Sequence, residues 1–254
     1  MTYKIASWNV NSIKARLDHA RAWLESESPD VLFLQELKGE ICPDISPDYT
    51  LNFVGQKAYN GVAILTKGAA QMVLDHLPED DLDTQARYLE VDWRGVRLIN
   101  IYLPNGNPID TDKFSYKIKW MKRLLNRISE LRAGAVPFLI GGDFNVIPDE
   151  KDCYDPAAWA GDALFSPEAR GLFRAMIHQG LVDAYRVIDH QAGAYTFWDY
   201  QAGAWPRNNG IRIDHFLLSP LLADRLVTVR IDKTPRGWDQ PSDHTPIIIE
   251  ISDE

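Results

Sequence analysis

The tetrapeptide Gly142-Asp143-Phe144-Asn145 closes an apolar run, Val136-Pro137-Phe138-Leu139-Ile140, that reads as a buried strand. A carboxylate and a carboxamide two residues apart at a strand end point to the same face. The carboxylate can take a proton or hold a metal, and the carboxamide can donate to an anion. That pairing suits attack of water on a phosphate. Three other segments end on similar groups: Asn9 follows Lys4–Trp8, Glu36 follows Val31–Gln35, and Asp243-His244 stands beside Thr245–Ile251. Four strands thus deliver metal- and phosphate-seeking side chains, and a shared rim would make one site of them.

An isolated His at a strand edge is ordinarily a polar rim residue. His244 gains interest from Asp214, which is embedded in Ile211-Arg212-Ile213-Asp214-His215-Phe216-Leu217-Leu218 among apolar neighbours. A buried carboxylate needs a partner. A His in that role would have its tautomer fixed and its imidazolium favoured, while Arg212 and the backbone are the competing partners. Glu36 could serve a hard divalent cation such as Mg²⁺, which takes oxygen ligands and keeps several waters, so that one or two carboxylates suffice. An acid capping the next turn is the ordinary reading of that position. Asn9 alone signals a turn, and Tyr102 alone a packed aromatic.

The elements that would position these groups follow from periodicity. Ile13, Leu17, Ala20 and Leu24 recur at helical spacing, so a helix spans roughly 13–26 and Ser28-Pro29 ends it. Asp30–Glu36 reads as a strand covered on both faces. Further strands are expected at Gly61–Thr66, Tyr88–Trp93, Val96–Tyr102 and Phe138–Phe144, with a tight turn at Arg94-Gly95. Phe114, Ile118, Met121, Leu125, Ile128 and Leu131 mark a long amphipathic helix. Residues 146–165 read as a long loop, and Ser166-Pro167-Glu168 as a capped helix start. Strands are then expected at Tyr195–Tyr200, Arg212–Leu218, Leu226–Asp232 and Thr245–Ile251. Both halves carry a β-rich stretch, a helix and a strand ending in polar groups, so one domain of two packed sheets flanked by helices is expected.

A chain of 254 residues with 45% hydrophobic content has material for a sizeable core. No apolar run is long enough for a membrane span, and the N-terminus enters a strand pattern without a secretory signal. Two cysteines, Cys42 and Cys153, make no disulfide framework and suit a reducing compartment. The net charge of −9 alone argues against nucleic acid, but charge is segregated along the chain. Residues 113–132 hold Lys113, Lys117, Lys119, Lys122, Arg123, Arg127 and Arg132 against Glu130 alone, whereas residues 79–92 are acidic. The basic run is either a nucleic-acid face or a solvated helix face.

Taken in order, Trp8-Asn9-Val10-Asn11, Leu34-Gln35-Glu36, Tyr102-Leu103-Pro104-Asn105, Gly142-Asp143-Phe144-Asn145, Arg212-Ile213-Asp214 and Ser242-Asp243-His244 resemble the exonuclease III family of abasic-site endonucleases, within the endonuclease/exonuclease/phosphatase superfamily. The resemblance runs from Lys4 to Ile251, and Tyr195-Thr196-Phe197-Trp198-Asp199-Tyr200 with Asn208-Asn209-Gly210 sharpens it. It implies a deoxyribonuclease I-like α/β fold, a four-layer sandwich of two packed mixed β-sheets flanked by helices, as a single catalytic domain over 1–254. It implies a Mg²⁺-dependent DNA repair phosphodiesterase, with Mn²⁺ able to substitute. The implied activities are abasic-site endonuclease, 3′→5′ exonuclease and 3′-phosphatase. The implied partner is double-stranded DNA with abasic sites or blocked or recessed 3′ ends, met by a cytoplasmic monomer with no membrane association.

Carried over position by position, the resemblance makes Glu36 the principal metal ligand, with Asn9 and Asp243 nearby and Asp143 and Asn145 facing any second metal. Asp143 would orient or deprotonate the attacking water, supported by Asn145. His244, held by Asp214, would donate to the scissile phosphate oxygen. Tyr102 would contact the phosphate and Asn105 the DNA backbone. The base stays open between Asp143, a Tyr102 phenolate and His244, and so does the number of metals. Arg87 and Arg207 are candidate phosphate contacts. Trp198, Trp205 and Ile211 are candidates for a flipped-sugar pocket or a wedge into the duplex, with core packing the competing reading for Trp198, and Asn208 is a further candidate DNA contact. Ile211 stands where relatives carry a bulky aromatic, which loosens that pocket and leaves room for exonuclease action. The alternative is a phosphoesterase on the same scaffold acting on inositol phosphates or phospholipids. Against it, Val146–Glu150 and Asn209–Asp214 read like the repair nucleases. A binding module without catalysis would need a lost ligand, yet every matched acid and His is in place.

Overall fold

In a computed structural model, which describes residues 1–253, the chain forms twelve strands and six α-helices. In order these are β1 (Thr2–Asn9), α1 (Ile13–Glu27), β2 (Val31–Gln35), β3 (Thr50–Val54), β4 (Val62–Thr66), β5 (Gln71–Leu74), β6 (Tyr88–Trp93), β7 (Val96–Tyr102), α2 (Asp112–Ala133) and β8 (Phe138–Asp143). There follow α3 (Pro167–His178), β9 (Val182–Asp183), α4 (Ala184–Ile188), α5 (Ala204–Arg207), β10 (Asp214–Leu218), α6 (Pro220–Ala223), β11 (Leu226–Ile231) and β12 (Ile247–Ser252).

Two β-α-β units organise the sheets. β1 and β2 are apolar neighbours in parallel register, Ile5 beside Val31 through Asn9 beside Gln35. Parallel pairing requires a crossover, and α1 provides it, ending where Ser28 turns left-handed ahead of Pro29. β7 and β8 repeat the arrangement across α2, from Arg97 beside Phe138 to Tyr102 beside Asp143. Each pair is then extended by antiparallel strands. One six-stranded sheet runs β11-β12-β1-β2-β4-β3 and the other β5-β6-β7-β8-β10-β9, so position for position the two sheets have the same topology.

Four layers result. Phe33 and Ile64 of the first sheet meet Leu98, Leu139 and Phe216 of the second in the central core. On the outer face of the second sheet, Trp120, Met121, Leu124 and Ile128 of α2 and Phe173 of α3 cover Phe138 and Ile140. On the first, Trp23 and Leu24 of α1 cover Trp8 and Leu32. The sheets approach closely at Gly141. A Cβ there would lie 2.4 Å from the Phe216 ring and 2.9 Å from the Phe33 ring of the opposite sheet. Nearby, Gln35 Nε2 donates to Asn100 Oδ1 at 2.8 Å, and Asn100 Nδ2 donates to the Leu34 and Ala63 carbonyls. This buried polar bridge ties one sheet to the other, although Gln35 Oε1 itself has no partner.

Three sequence expectations need correction. Tyr195–Tyr200 is not a strand: only Phe197 pairs, in isolated bridges to Ile211 and His244. The outer strands β3 and β5 carry no continuous apolar run and were not anticipated; they are half-exposed edge elements. Finally, Lys117 lies on the buried face of α2 rather than among its solvated residues.

Candidate active site

Strand register brings the polar ends to one rim. β1, β2, β7 and β8 end there; β10 begins there with Asp214 opposite Asp143, and the segment leading into β12 brings Asp243 and His244. A cavity of about 350 Å³ is lined by Asn9, Glu36, Tyr102, Asn105, Asp143, Asn145, Asp243 and His244, together with Asn107, Trp159, Asp162, Leu164, Phe197, Asp199 and Ile213.

Asp143 is at its centre. Its Oδ1 accepts from the Asn145 backbone N–H at 2.8 Å and its Oδ2 from Asn9 Nδ2 at 3.0 Å, while His244 Nε2 stands 3.7 Å from Oδ2. Burial pushes the Asp143 carboxyl up to about 7; the His244 imidazolium pulls it down, Asp214 pushes it up, and the two hydrogen bonds favour the anion. It is therefore poised between its charged and neutral forms near neutral pH. On the other side of the imidazole, Nδ1 lies 2.9 Å from Asp214 Oδ2. Burial alone would drive the proton off His244, but Asp214 and then Asp143 raise it to about 10, and the ring is an imidazolium. Asp214 is itself held by the Thr196 hydroxyl, which accepts from the backbone N–H of Ile213 and of Asp214. Phe197 packs edge-on against the His244 ring at 5.0 Å.

Tyr102 donates to Glu36 Oε1 at 2.5 Å. Burial, with Glu36 and Asp143 nearby, holds its phenol well above the ordinary value, which favours the neutral hydroxyl. Asn145 adopts a left-handed backbone (φ 46), donates from Nδ2 to the Leu103 carbonyl at 2.9 Å and accepts from Asn105 Nδ2 at 3.2 Å. The buried Lys117 lies behind this pair; burial lowers it to about 7 against the pull of Asp143 and Asp162.

Among the described residues, Asp143, Asp214 and His244 form the one cluster of three acidic or imidazole groups with ligand atoms within 4.8 Å. Its imidazole is protonated, and an imidazolium cannot ligate a metal. The oxygen donors of Glu36 and Asp243, with Asn9, suit a hard divalent cation better. That corner already attracts positive charge: Lys38 Nζ stands 3.8 Å from Glu36 Oε2 and 2.5 Å from Asn11 Oδ1, and Asn11 Nδ2 donates to Asp243 at 3.0 Å.

The proposed DNA contacts are spread more widely. Arg87 lies beside the cavity, its guanidinium 4.8 Å from the Tyr102 ring centroid and bonded to the Tyr102 carbonyl. Trp205 packs edge-on against the buried Trp198, 4.8 Å between centroids, and Arg207 and Asn208 are exposed beside it. None of these lines the cavity. Ile211 is fully buried among Ile147, Cys153 and Leu164 and is no pocket wall. The apolar wall comes from Trp159, Leu164, Phe197 and Ile213 instead. Sequence reasoning missed Trp159, Asp162 and Leu164 because they lie in the irregular 146–165 segment. It missed Lys38 because a lysine two residues past Glu36 looks like ordinary surface. Asn11 and Tyr200, which donates to the Pro241 carbonyl below Asp243, stood in quoted stretches but without a role.

Residues 6–244 match the profile of the Endonuclease/Exonuclease/phosphatase family. The protein belongs to that family. It is 32% identical to an exodeoxyribonuclease of Bacillus subtilis, covering 98% of this chain and 99% of the relative. A solved Neisseria 3′ phosphatase, bound to a product DNA hairpin, superposes with a TM-score of 0.89 at 35% identity, covering 98% of this chain and 99% of that one. An AP endonuclease from Archaeoglobus fulgidus superposes with a TM-score of 0.92 at 34% identity, covering 99% and 100%. Within this family fold the protein places its acids, amides and imidazolium at the common rim of the two sheets.

Proposed function

We propose that the protein is a Mg²⁺-dependent DNA repair nuclease. It cleaves duplex DNA at abasic sites and trims or dephosphorylates 3′ ends, acting as a cytoplasmic monomer of a single catalytic domain. The observation that carries this is the row Asp214–His244–Asp143–Asn9, an imidazole held between two buried carboxylates. The named activities of the relatives, on DNA and on 3′ phosphates, point the same way. The free thiols Cys42 and Cys153 accord with a reducing compartment.

The scheme requires each group to act in a fixed charge state. A phosphate at the mouth of the cavity accepts a hydrogen bond from the His244 imidazolium on one non-bridging oxygen and from the Asn145 amide on another. Asp143, in its anionic form, holds a water and takes its proton as the water oxygen bonds to phosphorus. The bond from phosphorus to the 3′ oxygen breaks, and that oxygen leaves with a proton from solvent. Tyr102 orients Glu36 through its one O–H, which could reach the phosphate only by leaving Glu36. Glu36, Asp243 and Asn9 would hold Mg²⁺, which when bound neutralises charge on phosphate and leaving oxygen.

The test is cleavage of defined duplexes carrying an abasic site, a recessed end or a 3′ phosphate. Activity should require Mg²⁺ and stop in excess chelator; undiminished cleavage in chelator would sink the metal assignment. Asp143→Asn should lose turnover by at least about 100-fold while still binding DNA. If that variant cleaves normally, the base lies elsewhere.

A further inference from the structure

Lys117 is a charged residue with no exposed surface, on the face of α2 that packs toward β8. A lysine is almost never fully buried unless paired. This one is satisfied in an informative way: its Nζ donates to the backbone carbonyl of Asn145 at 2.6 Å and to that of Asn105 at 2.9 Å. These are two of the four asparagines that line the cavity, and their side-chain amides are joined at 3.2 Å. The chain has accommodated this contact from both sides. Asn145 takes a left-handed φ of 46. Gly106 leaves room for the lysine stem, since a Cβ there would come within 2.6 Å of Lys117 Cδ.

Other basic residues of α2 make different contacts. Arg123 pairs with Asp83 and Arg127 with Glu90, both remote from the cavity lining. Lys117 alone among these ties two separate loops, one after β7 and one after β8, through the residues that approach the phosphate. Two hydrogen bonds from the one Nζ set the spacing between the loops.

We propose that Lys117 is a positioning residue for hydrolysis: its ammonium clamps the Asn105 and Asn145 carbonyls so that both side-chain amides meet the phosphate in one fixed geometry. The proposal rests on the nuclease reading above for its kinetic consequence, but not for its structural one. Lys117 touches no substrate. Its loss should act through misplacement of the amides, and small misplacements of such groups cost about 100-fold in rate.

The experiment uses the full chain with Mg²⁺ on an abasic duplex. Lys117→Met, which keeps the stem and removes the donor, should lower kcat about 100-fold and leave KM nearly unchanged, because the amides serve the reacting phosphate more than DNA binding. Combined with Asn145→Ala, it should cost little beyond Asn145→Ala alone, since the amide it positions is gone. Wild-type kcat in Lys117→Met overturns the proposal, and so do losses that multiply in the double variant. Melting temperatures separate these effects from unfolding, and Lys117→Gln, with one shorter donor, replaces the Met variant if that fails to fold. A second readout needs no activity: the side-chain ¹⁵N amide resonances of Asn105 and Asn145 should shift in Lys117→Met, and unmoved resonances overturn the clamp. If the unaltered protein cleaves no DNA, the nuclease reading fails by itself and the resonances alone decide the clamp.

Discussion

His244 keeps its proton because two carboxylates face one ring. Asp214 holds Nδ1 at 2.9 Å, and its second oxygen is buried without a partner, so little else dilutes its charge. Replacing it by Asn retains the shape and removes the field. In Asp214→Asn, His244 should fall from about 10 toward the ordinary range near 6.5, read from ring ¹⁵N shifts in metal-free protein. Turnover should fall by about 100-fold or more. An imidazole still protonated at alkaline pH would mean that Asp143 alone sustains it. Asp143 is balanced in the opposite sense, with burial opposing the imidazolium. The pair works because each group moderates the other: the cation keeps the acid ionisable, and the acid keeps the base charged.

At the scale of elements, the strands must be held so that these ends coincide. Gly141→Ala would drive a methyl into Phe216 and Phe33 and separate the sheets next to the site. A loss of about 1–3 kcal/mol is expected, measured by thermal or urea unfolding; unchanged stability would show that the rings move aside freely. β10 is anchored from behind by Arg212, which pairs with Asp152 at 2.7 Å and Asp183 at 2.9 Å and stands 2.9 Å from His215 Nδ1. Burial, reinforced by Arg212, lowers His215 to about 4. The unfolded imidazole takes its proton below about 6.5, whereas the folded one waits until about 4. The unfolded state therefore binds more protons in that window, and stability falls with falling pH. His215→Gln should flatten the melting-temperature profile between those values, and an unaltered slope would assign the acid lability elsewhere.

The β-α-β units, α3 and the inner strands were legible because continuous apolar runs and helical spacing have no other use. The acid-plus-amide ends were legible from the strands that carry them. Phe197 and Ile211 were not, because a wall built from single bridges leaves no periodic trace. The burial of Lys117 was hidden for a related reason. A basic residue in a basic run reads as surface until the two carbonyls that receive it are in place.

For the whole molecule, the two charge blocks of the sequence are partners. The acidic stretch 79–92 folds against α2, where Arg123 meets Asp83, Arg127 meets Glu90 and Asn126 meets Glu79. Of the seven basic residues of that run, Arg123 and Arg127 are thus paired within the fold and Lys117 is buried, while Lys113, Lys119, Lys122 and Arg132 stay exposed. Under the proposed function, Arg87 and Lys38 about the cavity would add to these cations on a chain of net charge −9. With about four such contacts, affinity for duplex should drop roughly 100-fold between ~50 and ~200 mM salt. A flat response in a binding titration would point to a small substrate. One pairing in the first sheet has a bearing on how such an enzyme is made. β1 lies between β2 and β12, with Thr2 beside Ser252. A ribosome that has delivered everything up to β11 has released Glu36, Asp143 and Asp214, yet the first strand still lacks a neighbour and the imidazolium has not emerged. The site is therefore complete only once the last strand has joined the sheet.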